Sequence, residues 1–389
     1  MVEHSTLHKV VVIGGGYAGT LAANRLRMRA DVGVTLVNSR PEFVERIRLH
    51  QFAAGDYDAA IDYGTLLGDG VRLVVDKAIR IDTASRTVEL ASGRTLDYDY
   101  VVYAVGSTGA VPASVPGAAE FAHSVAEFEY ARLLRAGLAE LPADAPITVV
   151  GGGLTGVETA AELAGQGRAV TLVCGGTLAP ALSATGRRSV ATWLSEHGVT
   201  VLETGVVAEV RQDAVVLTDG SVRQGALTIW TAGFGVPGLA AASGLRVDAL
   251  GRLVTDETLV SADDDRVIAA GDAASPSGRP PRMSCQAAGS LGVQAADAVL
   301  SRIAGTTPAV AEVVFKGSCV SLGRNAGVMQ YSDRDDAPLD SILDGPEAAD
   351  LKERLCRNAV LGITLEARDP GAIDLKSVGR GAAGMTAAS

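Results

Sequence analysis

Aromatic residues make up only 4% of the 389 positions, and no block of Lys or Arg occurs. With 34 basic residues against 45 acidic ones, the formal net charge is −11, so the chain offers no electrostatic footprint for a phosphate backbone. The sequence therefore reads against nucleic acid as a partner. Cysteine is equally scarce: Cys174, Cys285, Cys319 and Cys356 are widely spaced, with no C-x-x-C pair for zinc or a redox disulfide. No metal site is expected, and a reduced, cytoplasmic setting is. The N-terminal MVEHSTLHK is acidic early, and the apolar run after it breaks at three glycines, so no signal peptide is expected. A long apolar span is missing too. The stretch from Gly225 to Leu245 is uncharged, but it contains five glycines and Pro237, which suit a buried strand followed by a turn rather than a transmembrane helix.

What the chain has in abundance is glycine and small aliphatic residues. Gly occurs 46 times, about 12% against a usual ~7%. Hydrophobic residues reach 47% and charged residues 20%. That balance belongs to a packed globular chain long enough for two or three domains, with buried parallel strands and close backbone approaches.

An internal repeat organises the sequence. KVVVIGGGYAGTLAANRL (Lys9 to Leu26) is followed by VGVTLVNSR, and ITVVGGGLTGVETAAELA (Ile147 to Ala164) by RAVTLVCGG. Each copy is a β-branched run, a G-x-G-x-x-G, a small-residue helix and a second strand reading V-T-L-V. Gly14 and Gly151 permit the tight turn out of the strand, and Gly16 and Gly153 let backbone approach a pyrophosphate. Gly19 and Gly156 let the helix lie close to the strand, so its N-terminal amides face the phosphates. Two such copies, each in its strand–turn–helix context, imply two dinucleotide sites. Between them, Val71 to Ser107 reads as short strands ending at Gly106. Later, ALTIWTAGFGVP repeats a strand running into glycine, and RVIAAGDAA places Gly271 and Asp272 ahead of a helix from about Met283 to Ile303.

These residues resemble the pyridine nucleotide–disulfide oxidoreductase superfamily of flavoproteins over about Lys9 to Ala304. The resemblance implies an α/β fold with two Rossmann-like domains of the glutathione-reductase type, in three layers, plus a small C-terminal region. The implied domains are a flavin domain in two parts, 1–111 and 253–304, a nicotinamide domain at 112–252, and a C-terminal region at 305–389. It further implies FAD on Gly14, Gly16, Tyr17, Ala18, Gly19, Asn38, Ser39, Arg40, Ala78, Gly106, Gly271 and Asp272, and NADH or NADPH on Gly151, Gly153, Gly156, Cys174 and Gly233. Disulfide reductases of the superfamily carry a C-x4-C or C-x-x-C dithiol that this chain lacks, so reduced flavin is expected to pass electrons directly to an acceptor. Among members without the dithiol, VVVIGGGYAGTLAA, VTLVNSRPEF, GGGLTGVETAAELA, LTIWTAGF and VIAAGDAA look most like the type II NADH dehydrogenase and ferroptosis-suppressor group. The implied activity is hydride transfer from NAD(P)H to FAD and of two electrons to a quinone-like small molecule, with a homodimer left open.

In that group the acidic residue after the second motif, here Glu158, sits near the nicotinamide and flavin. Arg48 and His50, in FVERIRLHQFAAG, are candidates for stabilising an anion and donating a proton. Several positions depart from the group. Asn38 and Cys174 stand where a carboxylate commonly bonds the adenosine ribose, which leaves NADPH open with Arg187 and Arg188 nearby. Gly289, Ser290 and Leu291 follow Gln286 where quinone-using members carry more glutamines. The tail, ending VGRGAAGMTAAS, lacks the basic amphipathic helices of membrane-attached members. Two other readings stay open: a flavin oxidase or dehydrogenase tailoring one small molecule, with a vestigial nicotinamide domain, and a redox-sensing flavoprotein.

Overall fold

The structure is a computed structural model and describes residues 7–375; the expectations for the N-terminal leader and for the tail at 378–389 lie outside the described residues. The chain opens with β1 (His8–Ile13), α1 (Tyr17–Arg25) and β2 (Val32–Asn38), then α2 (Leu49–Ala54), β3 (Arg72–Val75) and β4 (Tyr100–Tyr103). It continues through β5 (Ala122–Ser124), α3 (Phe128–Glu140), β6 (Ile147–Val150), α4 (Leu154–Gly165), β7 (Val170–Val173), α5 (Ala184–Glu196), β8 (Thr200–Leu202) and β9 (Leu227–Trp230). Then follow β10 (Val267–Ala269), α6 (Cys285–Ile303), β11 (Gly317–Leu322), β12 (Ala326–Ser332), β13 (Pro338–Asp344) and α7 (Gly345–Arg368).

Two five-stranded sheets result, in the orders β10-β4-β1-β2-β3 and β5-β9-β6-β7-β8. All their pairings are parallel. The repeat seen in sequence is a repeat in space: Val10 pairs with Val34 in the first unit, and Ile147 with Val170 in the second. Parallel strands covered on both faces need apolar side chains at every position, and Val10 to Ile13 and Ile147 to Val150 are accordingly buried throughout. Helix α1 lies against α6 so tightly that a Cβ on Gly292 would stand 2.4 Å from the Ala18 carbonyl oxygen. This contact gives the small residues of α6 a packing reason: a side chain there would force the helices apart, at about 1–3 kcal/mol.

The chain crosses between the units at two points that pair with each other, Thr108–Gly109 running antiparallel to Phe234–Gly235. After the second crossing, Leu239, Ala240 and Leu245 are buried among Ile13, Val37, Val101 and Val267 of the first unit. The chain is thus packed in the core of the first unit again from about residue 239. Local pattern alone does not reveal this, because the short apolar segment suits either core. The C-terminal strands β11-β12-β13 form an antiparallel sheet, and α7 packs against it and against α1. No helix among the described residues is long and apolar enough to cross a membrane.

Candidate active site

Both glycine turns obey the same sterics. Gly14 and Gly151 hold φ of +104° and +123°, a region that favours glycine, and their absent side chains would strike the neighbouring strand's end at Ala104 and Thr231. A Cβ on Gly19 or Gly156 would stand 1.8 Å from the carbonyl oxygen of Gly14 or Gly151, respectively. By contrast, a Cβ on Gly16 or Gly153 would meet nothing within 4 Å, and both residues are exposed. These two glycines start α1 and α4, which have no side-chain cap and no acidic residue in the first turn. Uncapped amides beside an open, side-chain-free surface are what a pyrophosphate requires, so the residues fit a dinucleotide at each turn.

Around the first turn the polar groups are largely engaged. Asn38 accepts a hydrogen bond from the Gly15 amide (3.0 Å) and donates to the Arg40 carbonyl (2.9 Å). Tyr63 donates to the Gly15 carbonyl. Arg40 grips Glu129 at the start of α3 with two 2.6 Å bonds, while Ser39 is exposed. Ala78 begins a strand directly beyond β3, and Ala18 faces Gly271 and Gly292. Gly106 (φ +67°) opens the chain after β4. The Tyr17 ring meets Phe43 edge-on, but its buried hydroxyl has no partner. Asp272, after β10, accepts from Ser107 Oγ (2.6 Å) and from the Ser284 amide (3.2 Å) at the start of α6. Burial raises its carboxyl, against the pull of Ser107 and Arg46. Arg46 in turn donates to Ser107 and Ala126, bracing the linker.

The second turn is barer. Cys174 is half-buried, and Gly175 and Gly176 beyond it are exposed. Burial pushes its thiol up to about 11, with Glu203 adding to the shift. Glu203 follows β8, the next strand over, which places a carboxylate beside the position where the sequence repeat shows none. Of the arginines nearby, Arg187 donates to the Leu182 carbonyl and Arg188 to Thr185. Gly233 (φ +88°) lies on the second crossing, against Ala110.

The two units and the C-terminal sheet meet at a buried charged cluster. Glu158, on α4, pairs with Lys352 Nζ of α7 at 2.8 Å. Lys352 also donates to the Cys319 carbonyl (2.9 Å). The Ser321 amide donates to Glu158 at 3.0 Å, and the Ser321 hydroxyl lies 3.3 Å from both Glu158 Oε1 and His50 Nε2. Burial alone would raise Glu158, but Lys352 and then His50 reverse the sign and hold it below the usual carboxylate range. Burial pulls His50 down to about 4, so the ring is neutral at pH 7.

Arg48 lies close to this cluster in sequence but is held by acids. It is 1% exposed, bonds Glu353 of α7 through both terminal nitrogens (2.8 and 2.9 Å) and Gln51 (3.1 Å), and lies 3.4 Å from Glu45. Its guanidinium also stacks over Tyr57, 4.4 Å from the ring centre. The structure thus brings Glu158 and His50 together and directs Arg48 to a structural ion pair with α7. Lys352, Ser321, Glu353 and Glu203 were not legible as site residues, because each arrives from a distant strand or helix. All four cysteines are free, and no group of three or more His, Cys, Asp or Glu among the described residues could hold a metal.

The family pattern described as pyridine nucleotide-disulphide oxidoreductase matches residues 8–292. The chain is 33% identical to the NADH dehydrogenase-like protein Rv1812c of Mycobacterium tuberculosis over 294 residues, covering 68% of this chain and 72% of that protein. It is 29% identical to the type II NADH:quinone oxidoreductase of Haemophilus influenzae over 327 residues, or 69% of this chain and 74% of the other. Among solved structures, the sulfide:quinone oxidoreductase of Aquifex aeolicus superposes with a TM-score of 0.77 at 18% identity, covering 92% of each chain.

Proposed function

Because the chain belongs to the pyridine nucleotide-disulphide oxidoreductase family, an enzyme family of oxidoreductases, we propose that it is an FAD-dependent NADH dehydrogenase that delivers two electrons to a quinone-type acceptor. The observation that carries this reading is the pair of matching glycine cradles, each open at its second glycine, in one chain that also bears the Glu158–Lys352 pair. FAD, when bound, accepts a hydride from the nicotinamide and passes electrons on two at a time. The protein's own task is alignment and electrostatics.

Gly14, Gly16 and Gly19 would hold the flavin dinucleotide's phosphates, and Asp272 with Ser107 would face its ribitol. Gly151, Gly153 and Gly156 would hold the nicotinamide dinucleotide. Lys352 keeps Glu158 ionised, so this carboxylate can orient a ligand's amide donor without giving up a proton. The relatives' names, NADH dehydrogenase-like and NADH:quinone oxidoreductase, support a nicotinamide donor and a quinone acceptor. Glu203 favours NADH, since a carboxylate near the adenosine ribose repels a 2′-phosphate.

The test is anaerobic stopped-flow reduction of the flavin-loaded protein, followed near ~450 nm with NADH and then with NADPH. Bleaching by NADH faster than about 1 s⁻¹, the low end of ordinary turnover, supports the reading. A flavin that stays oxidised with both nucleotides overturns it in favour of an organic substrate that reduces FAD directly.

A further inference from the structure

Reducing a quinone-type acceptor takes two electrons and two protons, and a nicotinamide hydride brings both electrons but one proton. Water must supply the other. The cluster around Glu158 is a poor source, since His50 is neutral at pH 7 and Glu158 is held ionised by Lys352.

One turn along α4 from Glu158 stands Glu162. It is 2% exposed, and no N–H or O–H donor reaches either of its oxygens. It lines a cleft of about 280 Å³ together with Asp56, Gln166, His197 and Arg324. The turn after β11 also lines the cleft, and its Arg324 stands three residues beyond the Ser321 that touches both Glu158 and His50. Residues four apart on a helix share a face, so Glu158 and Glu162 project to the same side of α4.

We propose that Glu162, with Asp56 beside it at this cleft, holds one proton and delivers it towards the reduced acceptor. The inference rests on the dehydrogenase reading above. In the step itself, the Glu162 O–H bond breaks, an O–H bond forms on the reduced acceptor, and water from the cleft reprotonates the pair. A carboxylate buried without a donor, with a second acidic residue beside it, is disfavoured in its charged form, so Glu162 keeps its proton. Gln166 donates to Asp56 Oδ2 at 2.9 Å, fixing Asp56 as the acceptor of the pair. The charged groups facing Glu162 are Asp56 beyond α2, Arg324 after β11 and Glu158 on its own helix. Burial and then Asp56 raise the Glu162 carboxyl to about 8, against the pull of Arg324, which keeps it loaded at pH 7. The cleft's outer side carries the stacked pair Trp193 and His197, 3.7 Å apart.

The test compares the flavin-loaded wild type with E162Q and D56N, measuring the NADH half-reaction and reoxidation by a soluble quinone separately. Reoxidation of the wild type falls as pH rises through about 8. E162Q slows reoxidation at least tenfold more than it slows the NADH step and flattens the pH profile, E162D restores part of the rate, and D56N shifts the profile to lower pH. Independently of turnover, infrared difference spectra of the resting protein between about pH 6 and about pH 9 show a protonated-carboxyl band that E162Q removes. Wild-type turnover with unchanged E162Q kinetics, or a carboxyl band that persists in E162Q, overturns the relay alone. Failure of NADH to reduce the wild type overturns the relay together with the dehydrogenase reading.

Discussion

The two dinucleotide units begin from one backbone solution and end in different surroundings. In the first, the groups around the glycine turn are tied to other protein groups. Asn38 bonds the turn itself, Arg40 holds α3, and α7 closes over α1 through Arg25, which reaches both Asp297 (2.6 Å) and the fully buried Glu366 (3.2 Å). In the second, the strand ends in a half-buried thiol and two exposed glycines, and a carboxylate from the next strand is the nearest charge. The same turn chemistry can therefore serve a resident group under a roof or a ligand that comes and goes.

That contrast can be broken at the roof first. Arg48 joins the first unit's segment to α7, and Arg48→Ala leaves the buried Glu45 with the Tyr57 hydroxyl as its partner and Glu353 with Arg357. Breaking a buried pair in this way costs about 3–5 kcal/mol, so urea unfolding should show that loss and flavin should dissociate earlier in the transition. An unchanged midpoint would mean that the roof contributes nothing to holding the first unit together.

A pH titration sharpens the same point with a smaller effect. His50 has a folded pKa of about 4 against about 6.5 in the unfolded chain. Between those values the unfolded state binds the extra proton, so stability is full above about pH 6.5 and declines as pH falls towards 4. His50→Gln should flatten that part of the stability curve. An identical acid limb in the variant would show that other groups set it.

The smallest expected effect lies at the second unit. If Glu203 selects against a 2′-phosphate, Glu203→Gln lowers the ratio of kcat/KM for NADH over NADPH by about tenfold, roughly 1.4 kcal/mol, with flavin content unaltered. A ratio that does not move places the discrimination elsewhere.

Much of this architecture was legible before the structure. The V-T-L-V strands, the glycine spacing and the helix from about Met283 each carry a local signal with a mechanism behind it, and α6 indeed runs from Cys285 with Ser284 as its cap. What stayed hidden depends on contacts across the chain. Glu158 and Lys352 are nearly two hundred residues apart, and Arg48 meets Glu353 at a separation of 305. No period or spacing encodes such a meeting. Arg48, read with Arg46 and His50 beside aromatic and apolar residues, suited an anion site, and only the fold shows that Glu353 and Glu45 hold it. The return of the chain at about residue 239 was hidden for a similar reason, since Leu239 and Ala240 carry no mark of the core that buries them.

On the proposed function, the two cradles divide the two nucleotides between them. Gly16 and Gly153 allow a direct test, because a Cβ at either meets no protein atom within 4 Å, so a side chain there would project into the open cradle. Flavin content and anaerobic reduction by NADH would be measured on purified Gly16→Val and Gly153→Val proteins. The account predicts that Gly16→Val folds but is colourless, while Gly153→Val keeps its flavin and fails to be reduced at ordinary NADH concentrations. A yellow Gly16→Val protein alongside a colourless Gly153→Val protein would contradict it.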